Sequence, residues 1–163
     1  MENLKILCRH LPHWTMKDAT YFVTFCTLRG ILSKEEEILT LNHVKEANTK
    51  YYDLYCAIVM PDHSHIIIKP FPEYSLDRIM KGIKGVSARK INIQRNSKGS
   101  IWQDESFDRI IRDQKELEDK ILYMFNNPIK KGLTDNTFSY HGWYLNYNLL
   151  IVLCQNGKSD AFV

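Results

Sequence analysis

Two apolar, β-branched runs lie almost end to end in the middle of the chain, at residues 53–60 and 63–69, with only Pro61-Asp62 between them. A parallel crossover needs a dozen or more residues, so these runs must fold back on each other as an antiparallel hairpin. Residues 20–27 (Thr-Tyr-Phe-Val-Thr-Phe-Cys-Thr) have the same β-branched and aromatic character and predict another strand, closed by Arg29-Gly30. Ser33 ahead of Glu35, Glu36 and Glu37 has the form of an N-cap with a negatively charged first turn. Ile38, Leu41, Val44 and Ala47 continue that helix as a loose stripe to about Lys50.

Pro70 and Pro72 close the hairpin, and Ser75 then caps a second predicted helix through Leu76, Ile79, Met80, Ile83, Val86 and Ala88 to about Ile91. Residues 92–100 predict a loop, and Ile101 to Ile111 a short strand plus a turn. Asp113 opens a third helix through Leu117, Ile121, Leu122 and Phe125, which Pro128 is expected to end, and Lys130-Lys131-Gly132 form a turn. From Thr134 onward no period is visible. The first six elements give βαββαβ, an α+β, ferredoxin-like antiparallel sheet with helices packed on one face, and the third helix is an addition. The expected organisation is an N-terminal arm at 1–18, a domain at 19–135 and a C-terminal tail at 136–163.

A length of 163 residues fits one core. With 44% hydrophobic and 25% charged residues the composition is that of a globular protein, which sets aside disordered and collagen-like readings. No apolar run approaches the roughly 20 residues needed to span a bilayer, so no membrane partner is expected. The N-terminus carries Lys5 and Arg9 but no continuous apolar stretch, which argues against a signal peptide. The cysteines at 8, 26, 56 and 154 lack metal-knuckle or redox spacing, and a reduced cytoplasmic setting is the simplest account. A net charge of +3 decides little, but its distribution is informative: Arg78, Lys81, Lys84, Arg89, Lys90, Arg95 and Lys98 follow one another with no acid between them. Such a segment suggests a polyanion partner, although a solvated helix face has the same appearance.

His63 and His65 are separated by one residue, which on a strand places both rings on one face, where two imidazoles can chelate a divalent metal. An isolated His-x-His is more often a pair of surface histidines. Tyr123 and Asn127 are four apart near the end of a helix and share a face, offering a phenol nucleophile and a hard third metal ligand. Each alone is equally compatible with packing or with helix termination.

Several ordered blocks resemble the REP-associated tyrosine transposases, relatives of the single-tyrosine HUH transposases of bacterial insertion sequences. They are Arg9-His10-Leu11-Pro12-His13-Trp14, Tyr21 to Phe25, Ala57 to His65, Ile79 to Gly85, Ile101-Trp102-Gln103, Phe107-Asp108-Arg109, Ile111-Arg112-Asp113 and Tyr123 to Leu133. The resemblance implies that His63 and His65 are the metal-binding pair, Tyr123 the nucleophile and Asn127 the third metal-side residue. It implies Mg²⁺ or Mn²⁺, cleavage of single-stranded DNA near hairpins through a 5′-phosphotyrosine link, a monomer or homodimer, and a nucleoid-associated, cytoplasmic location. Ser64 departs from the hydrophobic residue usual between the histidines and should face the core, and Asp62 stands where Asn is common, either adding a carboxylate near the metal or capping the turn. The tail from Leu145 does not resemble the family's usual C-terminus.

On this reading Arg78, Lys81, Lys84, Arg89, Lys90 and Arg95 are a candidate DNA-contacting surface, and Trp14, Trp102 or Tyr21 candidates for base stacking, with Trp102 equally a candidate for the core. Two alternatives stay open: a non-catalytic nucleic-acid-binding module on the same fold, and a hydrolytic metalloenzyme in which Tyr123 only packs. RNA-recognition domains share the βαββαβ order but display aromatics where this chain has histidines.

Overall fold

The structure is a computed structural model and describes residues 4–8 and 12–151. Its elements are β1 (Leu4–Cys8), β2 (Pro12–Met16), β3 (Thr20–Thr27), α1 (Lys34–Glu46), β4 (Tyr52–Val59), β5 (His63–Pro70), α2 (Leu76–Arg95), β6 (Trp102–Ile111), α3 (Gln114–Lys130), a 3-10 turn at Thr137–Ser139 and β7 (Trp143–Leu145). Strands β1 and β2 pair with each other as an antiparallel ribbon within the segment read as a surface arm. The other five form one antiparallel sheet in the order β6-β3-β5-β4-β7. Within it, β3-α1-β4-β5-α2-β6 is the expected ferredoxin-like unit, with its first and third strands central.

The β4–β5 hairpin closes with Met60 N–H donating to the His63 carbonyl at 2.9 Å. Its two-residue turn is held from outside, because the Asp62 carbonyl accepts from Thr27 N–H at 2.9 Å and the Pro61 carbonyl from Leu32 N–H at 2.7 Å. Ser33 and Glu36 form the capping box that starts α1, each side chain satisfying the other's backbone N–H.

Alternation along the central strands divides the core in two. Val23, Phe25, Ala57, Val59, Ile66 and Ile68 face α1 and α2, where Leu41, Val44, Ile79, Met80 and Ile83 cover them. Phe22, Ile58, Met60 and Ile67 face the other way, against Leu117 and Met124 of α3 and against Tyr140. A bulge between Leu54 and Cys56 resets β4 so that both its halves keep this alternation.

Three elements differ from the sequence expectation. Strand β6 is one ten-residue strand rather than a short strand and a turn, and its irregularity is a bulge opposite Phe25–Thr27. Helix α3 continues through Pro128 to Lys130. A proline here removes one helical hydrogen bond, the one to the Met124 carbonyl, and only Ile129 and Lys130 follow it in the helix. The helix stops instead at Gly132, whose φ of 69° allows the reversal in which Leu133 N–H reaches the Pro128 carbonyl and Gly132 N–H the Ile129 carbonyl. Finally, the aperiodic segment after Thr134 supplies β7, which pairs with β4. Gly142 leads into it because a Cβ there would meet the Val59 carbonyl oxygen at 2.1 Å. The remainder of the tail, 152–163, lies outside the described residues.

Ser64 is fully buried on the α1–α2 side, and its hydroxyl has no hydrogen-bond partner among the described residues. An orphaned buried hydroxyl costs about 1–3 kcal/mol. Ser64→Ala is therefore expected to raise stability by about 1 kcal/mol, read as a higher urea midpoint with an unchanged slope; a lower midpoint contradicts this reading of the core.

Candidate active site

His63 and His65 project from the α3 side of β5, opposite to Ser64. Their ring centroids are 4.9 Å apart. Each ring is gripped at Nδ1. The His63 Nδ1 lies 2.6 Å from Asp62 Oδ1, and the His65 Nδ1 lies 2.7 Å from Thr24 Oγ1 on β3, its direct cross-strand neighbour. A carboxylate can only accept, so His63 Nδ1 carries a proton and donates it to Asp62, which turns Nε2 toward the site. The same assignment at His65 has Nδ1–H donating to the Thr24 hydroxyl.

The two Nε2 atoms converge on one side chain. Asn127, itself buried, places Nδ2 3.1 Å from His65 Nε2 and 3.5 Å from His63 Nε2. Exchanging the amide nitrogen and oxygen, which is a simple rotation, puts a carbonyl oxygen at the same point. One turn earlier, Tyr123 lies edge-on to His65 at a centroid distance of 5.5 Å and is 46% exposed. Phe22 stacks beneath His65 at 5.1 Å and meets Tyr123 edge-on at 6.2 Å. The strand and helix spacings thus bring all four sequence-derived site residues together on one face of the sheet.

Burial, followed by the charges of His63, Lys120 and Lys131, brings His65 down to about 3, so its ring is neutral at physiological pH. Burial opposes ionisation of Asp62, but the His63 contact and the Lys131 charge outweigh it and hold that carboxyl below the usual range. Lys120 sits one turn before Tyr123 with Nζ 4.7 Å from the Phe22 ring centre and 5.8 Å from that of Tyr123.

Two imidazole nitrogens and a rotatable amide oxygen, all aimed at one point, form a donor set suited to a divalent cation whose remaining positions are filled by oxygen ligands. The orienting hydrogen bonds that the rings donate to Asp62 and Thr24 are those expected behind metal-ligating histidines. No group of three or more His, Cys, Asp or Glu side chains that could hold a metal occurs among the described residues, and in this set the third member is Asn127.

The basic residues are distributed differently. Helix α2 packs on the opposite face of the sheet from the histidines. Lys84 donates to the Gln103 and Asp104 carbonyls at 2.8 and 2.6 Å and to Ser106 Oγ at 3.2 Å, which satisfies the backbone exposed by the β6 bulge. Arg95 forms a two-pronged pair with Glu36 at 2.5 and 2.7 Å, and this pairing holds the Glu36 carboxyl below its usual range. Lys81 pairs with Asp77 at 3.2 Å and Lys90 with Glu46 at 3.8 Å, while Arg78 lies over the Tyr74 ring. Arg89 is exposed. Two of the stacking candidates fall in the core: Trp102 and Tyr21 are each 3% exposed, and the Trp102 indole N–H donates to Ser87. The Trp14 side chain lies outside the described residues.

Sequence reasoning passed over Thr24, Lys120 and Phe107. Thr24 shares the alternation of Phe22 and so the histidine face, and Lys120 is three residues before Tyr123 on one helical face; both positions could have been derived from periodicity alone.

The family model described as "Transposase IS200 like" matches residues 17–123. A Haemophilus influenzae protein described as a REP-associated tyrosine transposase is 22% identical over 138 residues, covering 73% of this chain and 75% of that protein. The solved structure of a REP-associated tyrosine transposase bound to a REP hairpin superposes with a TM-score of 0.64 at 20% identity, covering 80% of this chain and 78% of that one. It shares the fold described above.

The pairings on α2 predict which basic residues the fold itself needs. Arg95→Ala strands a buried carboxylate and Lys84→Ala leaves two carbonyls and a hydroxyl without their donor, so each is expected to lower stability by about 1–3 kcal/mol. Arg89→Ala is expected to stay within about 0.5 kcal/mol of the parent. Urea denaturation of the three variants checks this; equal stabilities contradict it.

Proposed function

The chain belongs to the IS200-like transposase family, and from that premise we propose that it is a metal-dependent single-strand DNA nuclease and strand transferase with Tyr123 as its nucleophile. The observation that carries the reading is the convergence of His63 Nε2, His65 Nε2 and the Asn127 amide beside an exposed phenol on the same helix. A buried tyrosine in that place would only pack; this one is open to a macromolecular substrate.

His63, His65 and Asn127 would hold a divalent cation, which when bound would supply Lewis-acid polarisation of a phosphodiester oxygen. The chain's own residues do the rest. Tyr123 Oη attacks phosphorus in line, the bond to the sugar 3′ oxygen breaks, and the phenolic proton is lost as the departing oxygen gains one. The product is a 5′-phosphotyrosine ester and a free 3′-hydroxyl. Attack of a 3′-hydroxyl on that ester reverses the step, restores the diester and frees Tyr123. The bond energy is conserved, so no nucleotide cofactor is required. Asp62 and Thr24 fix the imidazole orientations, and neutral His65 presents a lone pair without first losing a proton.

DNA of the hairpin-bearing, single-stranded kind is the proposed substrate, by analogy with the REP hairpin bound by the structural relative. Among the basic residues read on α2, Arg78 and Arg89 are those with no ion-pair or hydrogen-bond acceptor for the side chain among the described residues, and they are the proposed phosphate contacts on that side. Mg²⁺ or Mn²⁺ is the proposed cofactor.

Incubation with Mn²⁺ and a labelled hairpin oligonucleotide, followed by a denaturing protein gel, tests the reading. The parent is expected to give a covalent protein–DNA band that is absent with Tyr123→Phe and lost when EDTA removes the metal. His65→Ala is expected to lose the band while keeping most of its DNA binding. Binding without cleavage by the parent points to a non-catalytic relative, and cleavage that survives Tyr123→Phe points to hydrolysis in which the phenol only packs.

A further inference from the structure

Cross-strand register places one more side chain on the histidine face. Thr24 of β3 pairs with His65 of β5 on one side and with Phe107 of β6 on the other. Directly opposed residues share a face, so Phe107 stands in the same row as His65 with Thr24 between them. Its chain neighbour Ser106 confirms the parity, since its hydroxyl accepts from Lys84 of α2 on the opposite side. Strands lie about 4.8 Å apart, so Phe107 sits two strands, or about 10 Å, from His65. That is within one to two nucleotides of a phosphate at Tyr123.

Phe107 is 55% exposed and belongs to neither core cluster. Solitary exposed aromatics are common, and exposure alone assigns nothing. The surroundings do. Lys120, half-buried over Phe22 and beside Tyr123, has no ion-pair or hydrogen-bond acceptor among the described residues, unlike Lys84, Lys90 and Arg95. Phe22 and Thr24 are alternate residues of β3, so this cation and the Phe107 ring flank one stretch of the histidine face that leads to Tyr123. An aromatic face next to an uncommitted cation, beside a phosphoryl-transfer nucleophile, matches an unpaired nucleotide: a base on the ring and a phosphate at the ammonium.

We propose that Phe107 and Lys120 form a subsite for the unpaired nucleotide next to the scissile phosphate, with Phe107 stacking the base and Lys120 contacting the backbone. Resting on the function proposed above, the inference adds which part of the sheet holds the strand. It replaces Trp102 and Tyr21, which the core consumes, with the ring that the histidine face leaves open.

Binding to the Tyr123→Phe protein tests it without cleavage. The probes are a fluorescent oligothymidylate and a strand of equal length made of abasic sugar-phosphate units, which carry the same charge. Stacking predicts a preference for the base-bearing strand on the order of tenfold. Adding Phe107→Ala should abolish that preference, whereas Phe107→Trp should keep it and show indole fluorescence quenched by oligothymidylate. Lys120→Ala should weaken both strands alike and reduce the salt slope by about one contact. A Phe107→Ala protein that discriminates as well as its parent, or a tryptophan there that the strand does not quench, overturns the subsite alone. Failure of the Tyr123→Phe protein to bind either strand contradicts the single-strand reading itself, and the subsite with it.

Discussion

The register of β5 between β3 and β4 is the constraint on which everything else depends. In the observed register His65 faces Thr24 on one side and Ile58 on the other, while Ser64 faces Phe25 and Val59. Side chains alternate along a strand, so a slip of one residue would drive both imidazoles into the layer under α1 and α2 and turn Ser64 toward α3. The register is fixed twice, by the two-residue turn at Pro61-Asp62 and by the burial of Ile66 and Ile68 on one face against Ile67 on the other. The external hydrogen bonds to Pro61 and Asp62 hold that turn from the β3 end, so the residue that orients His63 also closes the hairpin.

The second half of the site comes from α3, and its placement relies on charge at one end and packing along its length. Asp113 caps the helix, and Glu116 in its first turn receives Arg109 and Arg112 from the end of β6. Leu117 and Met124 seat the helix against Phe22, Ile58 and Ile67. At the other end Thr137 donates to the Phe125 carbonyl, and the reversal at Gly132 ends the helix just past Asn127. Tyr123 and Asn127 thus occupy a rigid surface rather than a loop, which suits an arrangement that must meet side chains from a different element.

Much of this was legible because it rests on short-range rules. Alternation predicted the shared face of His63 and His65 and the inward Ser64; helical spacing predicted that Tyr123 and Asn127 align; Ser33, Ser75 and Asp113 announced the helix starts. Much of what was missed depends on partners distant in sequence. Lys84 and Arg95 look like a basic face, yet each has its counterpart across a tertiary contact, at β6 and α1. Trp102 and Tyr21 have the chemistry of a stacking surface but point into the core, which only strand parity in the folded sheet reveals. Three residues, Trp143–Leu145, are too few to show a period, and β7 forms because β4 offers an open edge. Pro128 misled because its cost depends on how much helix follows it, and here only Ile129 and Lys130 do.

The central claim is that two imidazoles from β5 and an amide from α3 share one cation within reach of Tyr123. Anomalous diffraction from crystals soaked in Mn²⁺ tests it most directly. The account predicts one strong manganese peak bonded to Nε2 of His63 and of His65, with the Asn127 amide rotated so that its oxygen faces the ion and the Tyr123 ring beside it. A peak elsewhere, or an Asn127 amide that still donates to both imidazoles in crystals saturated with the metal, would contradict it.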